Sequence, residues 1–263
     1  MRRSSMIWGA LIILFGTLLL LQNLGYLRNV NLWGLAWPFF LIALGVWFLL
    51  GALSRRALPV EHLAIPLQGA SRAELRLSHA VGRIQMAAGA SADNLLEGDF
   101  GGGVDVKTRR EGEQLSVKLK LPARLFPFDW MPGQSLDWTF SLAPQVPLRL
   151  ELETGASNSM LDLSELQVNE LVLKAGASST VLTLPAQAGF TPVKVEAGAA
   201  SLKIVVPAGV AVRIRPTGGL TSLNVDRQRF PLTDGAYQSP DYDSAANKVD
   251  IRIEMGVGSV SVV

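Results

Sequence analysis

A glycine-centred repeat in the second half of the chain limits its possible folds more than any other feature. Segments of alternating apolar and polar residues each run into a glycine, and the first four glycines are 21 or 22 residues apart. The glycines of the repeat are Gly155, Gly176, Gly198, Gly219 and Gly256. The residue five positions before each glycine and the residue six positions after it are always leucine, isoleucine or valine. A short period that keeps apolar positions in register is typical of proteins built from stacked repeats.

The alternation within each repeat predicts β-strands, because side chains of a strand point alternately to opposite faces. We expect each unit to form two short strands with the glycine at the corner between them. One unit is too small to bury its apolar row alone, so neighbouring units must stack. The segments Ala73–Ser78 and Gly82–Met86 show the same alternation with looser spacing. The predicted fold class is therefore an all-β, β-solenoid-like rack over residues 73–263.

Two long apolar runs precede this rack and predict a transmembrane helical hairpin in residues 1–56. The runs are Met6–Leu27 and Leu32–Leu53, each 22 residues long, and a bilayer core of about 30 Å needs roughly 20 helical residues. Only four residues, 28–31, separate them, which is enough for a tight turn. Residues 57–72 are then assigned to a linker and the entry to the β domain.

The placement of arginine residues suggests an orientation for the hairpin. Residues 1–56 contain five arginines and no acidic residue; two precede the first helix, two follow the second and one lies in the turn. The positive-inside tendency then predicts a multi-pass membrane protein with its β domain in the cytoplasm. The rest of the chain keeps 19 of the 24 basic residues and all 22 acidic ones. This balance argues against a nucleic-acid partner, which requires a clustered basic surface.

An aromatic segment at residues 123–138 interrupts the strand pattern. Its residues Phe126, Phe128 and Trp130 are the candidate partner-contact residues of the chain. One interpretation is an exposed apolar loop that docks on a partner or on the membrane surface. The other is a cap that folds back over an open end or edge of the rack. Both interpretations are kept at this point.

No arrangement of residues in the sequence indicates catalysis, a cofactor or a metal site. The chain has no cysteine and only two histidines, His62 and His79, neither of which has a second candidate ligand nearby in sequence. Asp241 and Asp243 lack the glycine and distal glutamate of a calcium loop, and they are interpreted as a solvated turn. No serine lies in a Gly-x-Ser-x-Gly motif. We therefore predict that the protein is not an enzyme.

The chain resembles LiaF-like bacterial envelope proteins that carry a toast-rack domain. The resemblance lies in the segments 138–152 (WTFSLAPQVPLRLEL), 161–166 (LDLSEL) and 171–178 (LVLKAGAS), and in the hydrophobic hairpin of residues 6–53. It covers nearly the whole chain and implies architecture more strongly than role. The best-understood relatives are membrane-held regulators that restrain a sensor histidine kinase until envelope stress relieves it.

Two function hypotheses follow from the residues and the resemblance. The first is a non-enzymatic, membrane-anchored regulator or sensor of the cell-envelope stress response, with the lipid bilayer and a membrane sensor kinase or other membrane protein as partners. The alternative is a structural, adhesin-like rack that self-assembles as a homo-oligomer, or a module that binds lipid or glycan through the aromatic segment.

Overall fold

The fold was analysed in a computed structural model, which describes residues 32–53, 58–123 and 136–263. The chain divides into two compact units, and each is described by itself. In the amino-terminal unit, helix α1 spans Leu32–Leu53 and contains no charged residue. Within the described residues, no helix is identified as a candidate to span a membrane.

The predicted two-helix transmembrane hairpin is therefore not confirmed. The bounds of α1 match those predicted for its second helix. The first predicted helix, residues 6–27, lies outside the described residues. Along α1, side chains from Trp37 to Val46 are exposed, including Phe39 at 64%.

The second unit is a single β-sheet that contains thirteen strands within the described residues. In chain order they are β1 (Val60–Pro66), β2 (Arg72–Ala88), β3 (Asn94–Gly101), β4 (Asp105–Glu111), β5 (Gln114–Lys120), β6 (Trp138–Leu142), β7 (Leu148–Asp162), β8 (Val168–Thr183), β9 (Phe190–Val205), β10 (Ala211–Val225), β11 (Leu232–Thr233), β12 (Ala236–Gln238) and β13 (Lys248–Val262). The sheet begins at Val60, within the stretch that the sequence analysis assigned to the linker and domain entry.

Each long strand must bend sharply, because it is connected to a parallel neighbour by very few residues. Strand β7 ends at Asp162 and β8 begins at Val168, in parallel and beside it. A straight strand of 15 residues, the length of β7, would span about 50 Å. Residues 163–167, which connect β7 to β8, can reach only about 20 Å. The two ends of β7 therefore lie close together, and one strand with its connection forms one coil of a solenoid-like stack.

The bend lies at the repeat glycine, where the alternation of buried side chains shifts by one residue. In β7, Leu150, Leu152 and Thr154 are buried before Gly155, while Ser157, Ser159 and Leu161 are buried after it. The same shift occurs in β8, and the paired residues skip the glycine in both strands. Because both paired strands leave out their glycine at the same place, the pairing keeps its register through the bend. The prediction of two short strands per unit was wrong, because each unit is one continuous strand that bends at its glycine.

The prediction about the core positions is confirmed. All residues five positions before the glycines are at most 2% exposed, and all those six positions after are at most 8% exposed; they are Leu150, Leu171, Val193, Ile214 and Ile251, and Leu161, Leu182, Ile204, Val225 and Val262. They belong to one hydrophobic cluster. In-register pairing places Leu150 beside Leu171 and Leu171 beside Val193, so equivalent residues of successive coils form continuous apolar rows.

The order of coils in the stack differs from their order in sequence. The observed order is β2, β7, β8, β9, β13 and β10, so the carboxy-terminal strand lies between β9 and β10. The expectation that neighbouring units stack holds from β7 to β9 and is wrong for the last two coils. Strand β13 pairs in parallel with both β9 and β10 over nearly its whole length.

The sheet divides into two branches at the first coil. The first half of β2 pairs with β5, which pairs with β4, whereas the second half pairs with β6, which leads to β3 and β1. At the other end of the stack, only Arg213 and Ile214 of β10 pair with a further strand, β12. Four strands thus have an outer edge without a partner strand in the described sheet: β1, β4, the two-residue β11 and most of β10.

Candidate functional site

The outer surface of the bend carries a ladder of glycines whose spacing is set by direct backbone contact. A Cβ atom placed on Gly176, Gly198 or Gly256 would lie 3.0, 3.2 or 2.9 Å from the carbonyl oxygen of the glycine in the preceding coil. On Gly155, it would overlap the carbonyl oxygen of Ala80. None of these four glycines has a φ in the left-handed region, so the need for glycine here is steric.

A shallow surface groove of about 1010 Å³ follows this ladder across five coils, from β7 to β10. We call it the glycine groove. It is lined by repeat glycines, by the residues directly before them, and by the residues two positions before each glycine, which are Glu153, Lys174, Glu196, Thr217 and Glu254. Because glycine has no side chain, a bound molecule could reach the strand backbone at the repeat glycines.

The outer surface on the amino-terminal side of the groove is densely charged, and we call it the charged face. Ion pairs connect neighbouring coils: Arg76 with Glu151 at 3.5 Å, Lys174 with Glu151 at 3.5 Å and Arg149 with Glu170 at 3.2 Å. The hydrogen bond and charge of Glu196 raise the pKa of Lys194, and that hydrogen bond lowers the pKa of Glu196. These charges are largely engaged with one another, so the face offers few uncompensated charges to a partner.

The surface on the other side of the groove is almost free of charge, and we call it the uncharged face. Its outward residues on β7, β8, β9, β13 and β10 include Ala156, Asn158, Met160, Ala177, Ser179, Val181, Ala199, Ser201, Lys203, Val257, Ser259, Ser261, Ser222 and Asn224. Met160 and Val257 are 56% and 58% exposed. Small, mostly uncharged side chains on a continuous sheet present a surface that a partner can cover with little desolvation of charge.

A polar cluster lies beneath the bend at the β2–β7 end of the stack. His79 is 1% exposed, and its Nε2 donates a hydrogen bond to the Leu136 carbonyl oxygen at 2.8 Å, which leaves Nδ1 as an acceptor without a partner in the described structure. The imidazole lies edge-on to Trp138, 4.7 Å between ring centroids. Burial lowers the pKa of His79, whereas the Leu136 hydrogen bond and the Asp137 charge oppose that change.

The hydroxyl groups of this cluster are also incompletely satisfied. Thr154 Oγ1 and Thr180 Oγ1 are buried without a hydrogen-bond partner among the described residues, while Ser157 and Ser159 contact each other at 3.3 Å. A cavity of about 380 Å³ beside His79 and Thr154 is lined by Lys120 and Glu153 as well. This part of the interior is polar, whereas the equivalent positions of β9 and β13 carry Leu202 and Val260.

The structure separates the residues that the sequence singled out. The candidate contact residues Phe126, Phe128 and Trp130 lie outside the described residues, so their role stays a prediction. His62 is exposed, and its Nδ1 lies 2.9 Å from Oδ1 of Asp99. His79, in contrast, is buried. No group of three or more candidate metal ligands occurs within the described parts of the chain.

The division of the outer surface into a charged and an uncharged face was not predicted from the sequence. The signal was present: acidic and basic residues alternate with apolar ones before each glycine, whereas serine, alanine and asparagine replace them after it. Reading the two halves of each repeat separately would have shown it.

Comparison with solved structures finds a similar fold. A crystal structure from Clostridium sporogenes, described as a "putative cell adhesion protein", aligns over 78% of this chain and 98% of its own with a TM-score of 0.71 and 19% identity. A "putative adhesin" from Bacteroides fragilis covers 78% of this chain and 97% of its own at 7% identity, but its TM-score of 0.21 supports no argument. No curated protein matches the chain.

Two family models match in succession along the chain. Residues 6–49 match the LiaI-LiaF-like transmembrane region, which indicates association with a membrane. Residues 57–205 match the N-terminal domain of toast_rack, DUF2154. This second match covers more than half of the chain and confirms the resemblance inferred from residues 138–178. The chain therefore belongs to the toast-rack family and carries a LiaI-LiaF-like transmembrane region ahead of its β-sheet.

Proposed function

We propose that this protein is a non-enzymatic, membrane-anchored regulator or sensor of the bacterial cell-envelope stress response that acts by protein–protein contact. The observation that carries the proposal is the direct succession of a LiaI-LiaF-like transmembrane region and a toast-rack domain in one chain. No catalytic family is indicated by the comparisons. The partner would be a membrane protein such as a sensor histidine kinase.

The structure supports contact through the uncharged face. This face is continuous over five parallel coils and is nearly free of the ion pairs that occupy the charged face. The bent strands hold it in place through backbone pairing, so a partner can bind without ordering a loop. Burial of exposed apolar side chains such as Met160 and Val257 would favour binding.

The test is chemical crosslinking in membranes from cells that express the full chain, followed by identification of captured proteins. We expect a membrane sensor kinase among them, and we expect Val257→Lys to reduce its capture by placing a charge on the uncharged face. Lys107→Glu on β4 is the matched control, because β4 lies in a branch of the sheet beyond the first coil. Recovery of no membrane protein, or equal loss with both variants, would refute the proposal.

The second candidate function is adhesion, favoured by the fold shared with the Clostridium sporogenes protein. An adhesive β domain must face the outside of the cell, whereas the arginine placement predicts the cytoplasm. Because the chain has no cysteine, Ser259→Cys on the exposed surface of β13 can be labelled selectively. Labelling of intact cells with a membrane-impermeant maleimide would favour adhesion, and labelling only after lysis would favour the regulator.

A further inference from the structure

The last coil of the stack has an edge that lacks the usual protection against pairing. Exposed strand edges are commonly blocked by charge, proline or short length. Strand β1 contains Glu61 and ends at Pro66, while β4 consists of DVKTRRE and is highly charged. The second half of β10, residues 220–225 with the sequence LTSLNV, contains neither charge nor proline. Its outer edge has no partner strand in the described structure.

The free backbone groups of this edge can be identified from the other coils. In the coils of β7, β8 and β9, the inward residue eight positions after the glycine donates its N–H to a carbonyl oxygen of the next coil: Leu163 to Thr183, Leu184 to Val205 and Val206 to Val263, at 2.9–3.1 Å. Since the backbone groups of a strand alternate in direction together with its side chains, inward residues throughout these second halves face the next coil. In β10 there is no next coil. The N–H and C=O groups of residues 221, 223 and 225 are therefore directed at the vacant side.

The interior of the stack is also open at this end. Leu223 is only partly buried, whereas the equivalent residues of the other coils, four positions after the glycine, are 1–3% exposed. A cavity of about 220 Å³ beside it is lined by Ile253, Met255 and Val260 among others. The apolar row thus ends at a surface that one more strand would cover.

We propose that residues 221–225 of β10 pair antiparallel with the same residues of a second copy of this chain, with Leu223 at the two-fold axis. This register places Leu223 beside Leu223 and residue 221 beside Val225, so the free backbone groups of the two copies meet while Leu223 and Val225 stay on the inner side. About six interstrand hydrogen bonds can form in this arrangement. The strand carries no charge, so two identical edges meet without repulsion.

The outward residues give this register a complementary pattern. Ser222 of one copy lies beside Asn224 of the other, and a hydroxyl and an amide can form a cross-strand hydrogen bond. The pairing is isologous and closes after two copies, so it yields dimers and not fibres. A contact of five residues per copy is small, and we expect the dimer to depend on protein concentration.

Cysteine crosslinking in the full chain tests the register, because the chain has no native cysteine. Ser222 and Asn224 would form non-hydrogen-bonded pairs with Cα atoms about 4.5 Å apart, within the disulfide range. Membranes that contain both Ser222→Cys and Asn224→Cys chains, carrying different tags, should give mixed-tag disulfide dimers on mild oxidation. Each variant alone should give about tenfold less, because identical residues would be more than 7 Å apart.

The matched control is the pair Ser259→Cys and Ser261→Cys. These residues lie on β13 directly beside Ser222 and Asn224, at equivalent positions of a coil that is covered on both sides. We expect no crosslinking between them above the level of chance encounters. Equal crosslinking in control and test mixtures, or stronger crosslinking of either variant alone, would overturn the proposed pairing.

A charge-swap experiment tests the same contact without oxidation. Chains with Ser222→Lys and Asn224→Lys would place lysines opposite lysines, so the detergent-solubilised protein should shift from dimer to monomer mass. Mixing them with Ser222→Glu and Asn224→Glu chains should restore the dimer. A monomeric unsubstituted protein over the whole accessible concentration range would refute the proposal. This result would leave the proposed regulatory function untouched, because contact of a membrane partner with the uncharged face does not require a second copy of this chain.

Discussion

The glycine ladder predicts a graded response to substitution by alanine. Alanine is conformationally compatible at Gly155, Gly176 and Gly198, because none has a φ in the left-handed region. By restricting the unfolded chain, glycine-to-alanine substitution stabilises a protein by about 0.4–1 kcal/mol where the folded state accepts the methyl group. Contact with the preceding coil opposes this gain, and its severity differs among the three sites.

The closest contact should dominate the outcome at Gly155. Its added Cβ overlaps the Ala80 carbonyl oxygen, so β2 and β7 would have to separate locally, at a cost of about 1–3 kcal/mol for overpacking. At Gly198, the Cβ lies 3.2 Å from the nearest oxygen, and a shift of a few tenths of an ångström relieves the contact. We expect Gly155→Ala to destabilise the sheet by about 1–3 kcal/mol and Gly198→Ala to be close to neutral, with Gly176→Ala between them.

The measurement is urea unfolding of the full chain in detergent, followed by the β-sheet signal in circular dichroism. The exposed Ala199→Ser is a control for substitution at the bend that adds no contact with a neighbouring coil. If the three alanine variants lose the same stability, or if Gly198→Ala loses the most, the steric explanation of the ladder is wrong.

Four further predictions concern the interior and the order of the coils. Leu173→Ala, at a side chain 1% exposed, should lower the free energy of unfolding by about 2–5 kcal/mol in the same urea assay. Thr180→Val should raise it by about 1 kcal/mol, because it removes a buried hydroxyl without a partner in the described structure; a loss of stability would indicate a bound water. The folded state lowers the pKa of His79, so it binds fewer protons than the unfolded state. Stability should therefore fall as pH decreases through about 6.5, the ordinary histidine value, and His79→Gln should reduce that fall in thermal melts. Deletion of residues 248–263 should abolish hydrogen-exchange protection in β10 and leave it in β7 and β8, because β10 has only a two-residue pairing besides β13.

The sequence predicted the core of the stack well, because that core depends on a pattern that one coil already contains. Alternation with a fixed offset from glycine identified Leu150 and Leu161 as buried without knowledge of any other coil. The sequence placed the bend at the right residue but did not predict its form, since a bend within one strand and a break between two strands leave the same pattern. The buried Ser157 and Thr154 were not foreseen as interior groups, because small polar residues at a corner are also typical of solvated turns.

The order of the coils could not be derived from the apolar pattern, since every coil offers similar leucine, isoleucine and valine rows. The lengths of the connections determine it. Five or six residues join β7 to β8, β8 to β9 and β9 to β10, whereas 226–247 join β10 to β13. A short connection limits how far the next coil can lie, yet β9 and β10 remain close enough for β13 to insert between them. The wider spacing from Gly219 to Gly256 was the visible signal of the long connection.

The ladder also gives the stack a direction, which bears on how it can end. Each repeat glycine leaves room for the carbonyl oxygen of the equivalent residue in the coil before it in the stack. The first coil, β2, follows no such coil and has Ala80 at the position of the glycine. A complete coil added beyond β10 would need its own glycine against the Gly219 carbonyl and would have to displace β12 from Arg213 and Ile214. A partner that pairs only with residues 221–225 avoids both requirements, because it approaches after the bend. The same geometry that prevents indefinite stacking thus leaves a short edge that a second copy can cover.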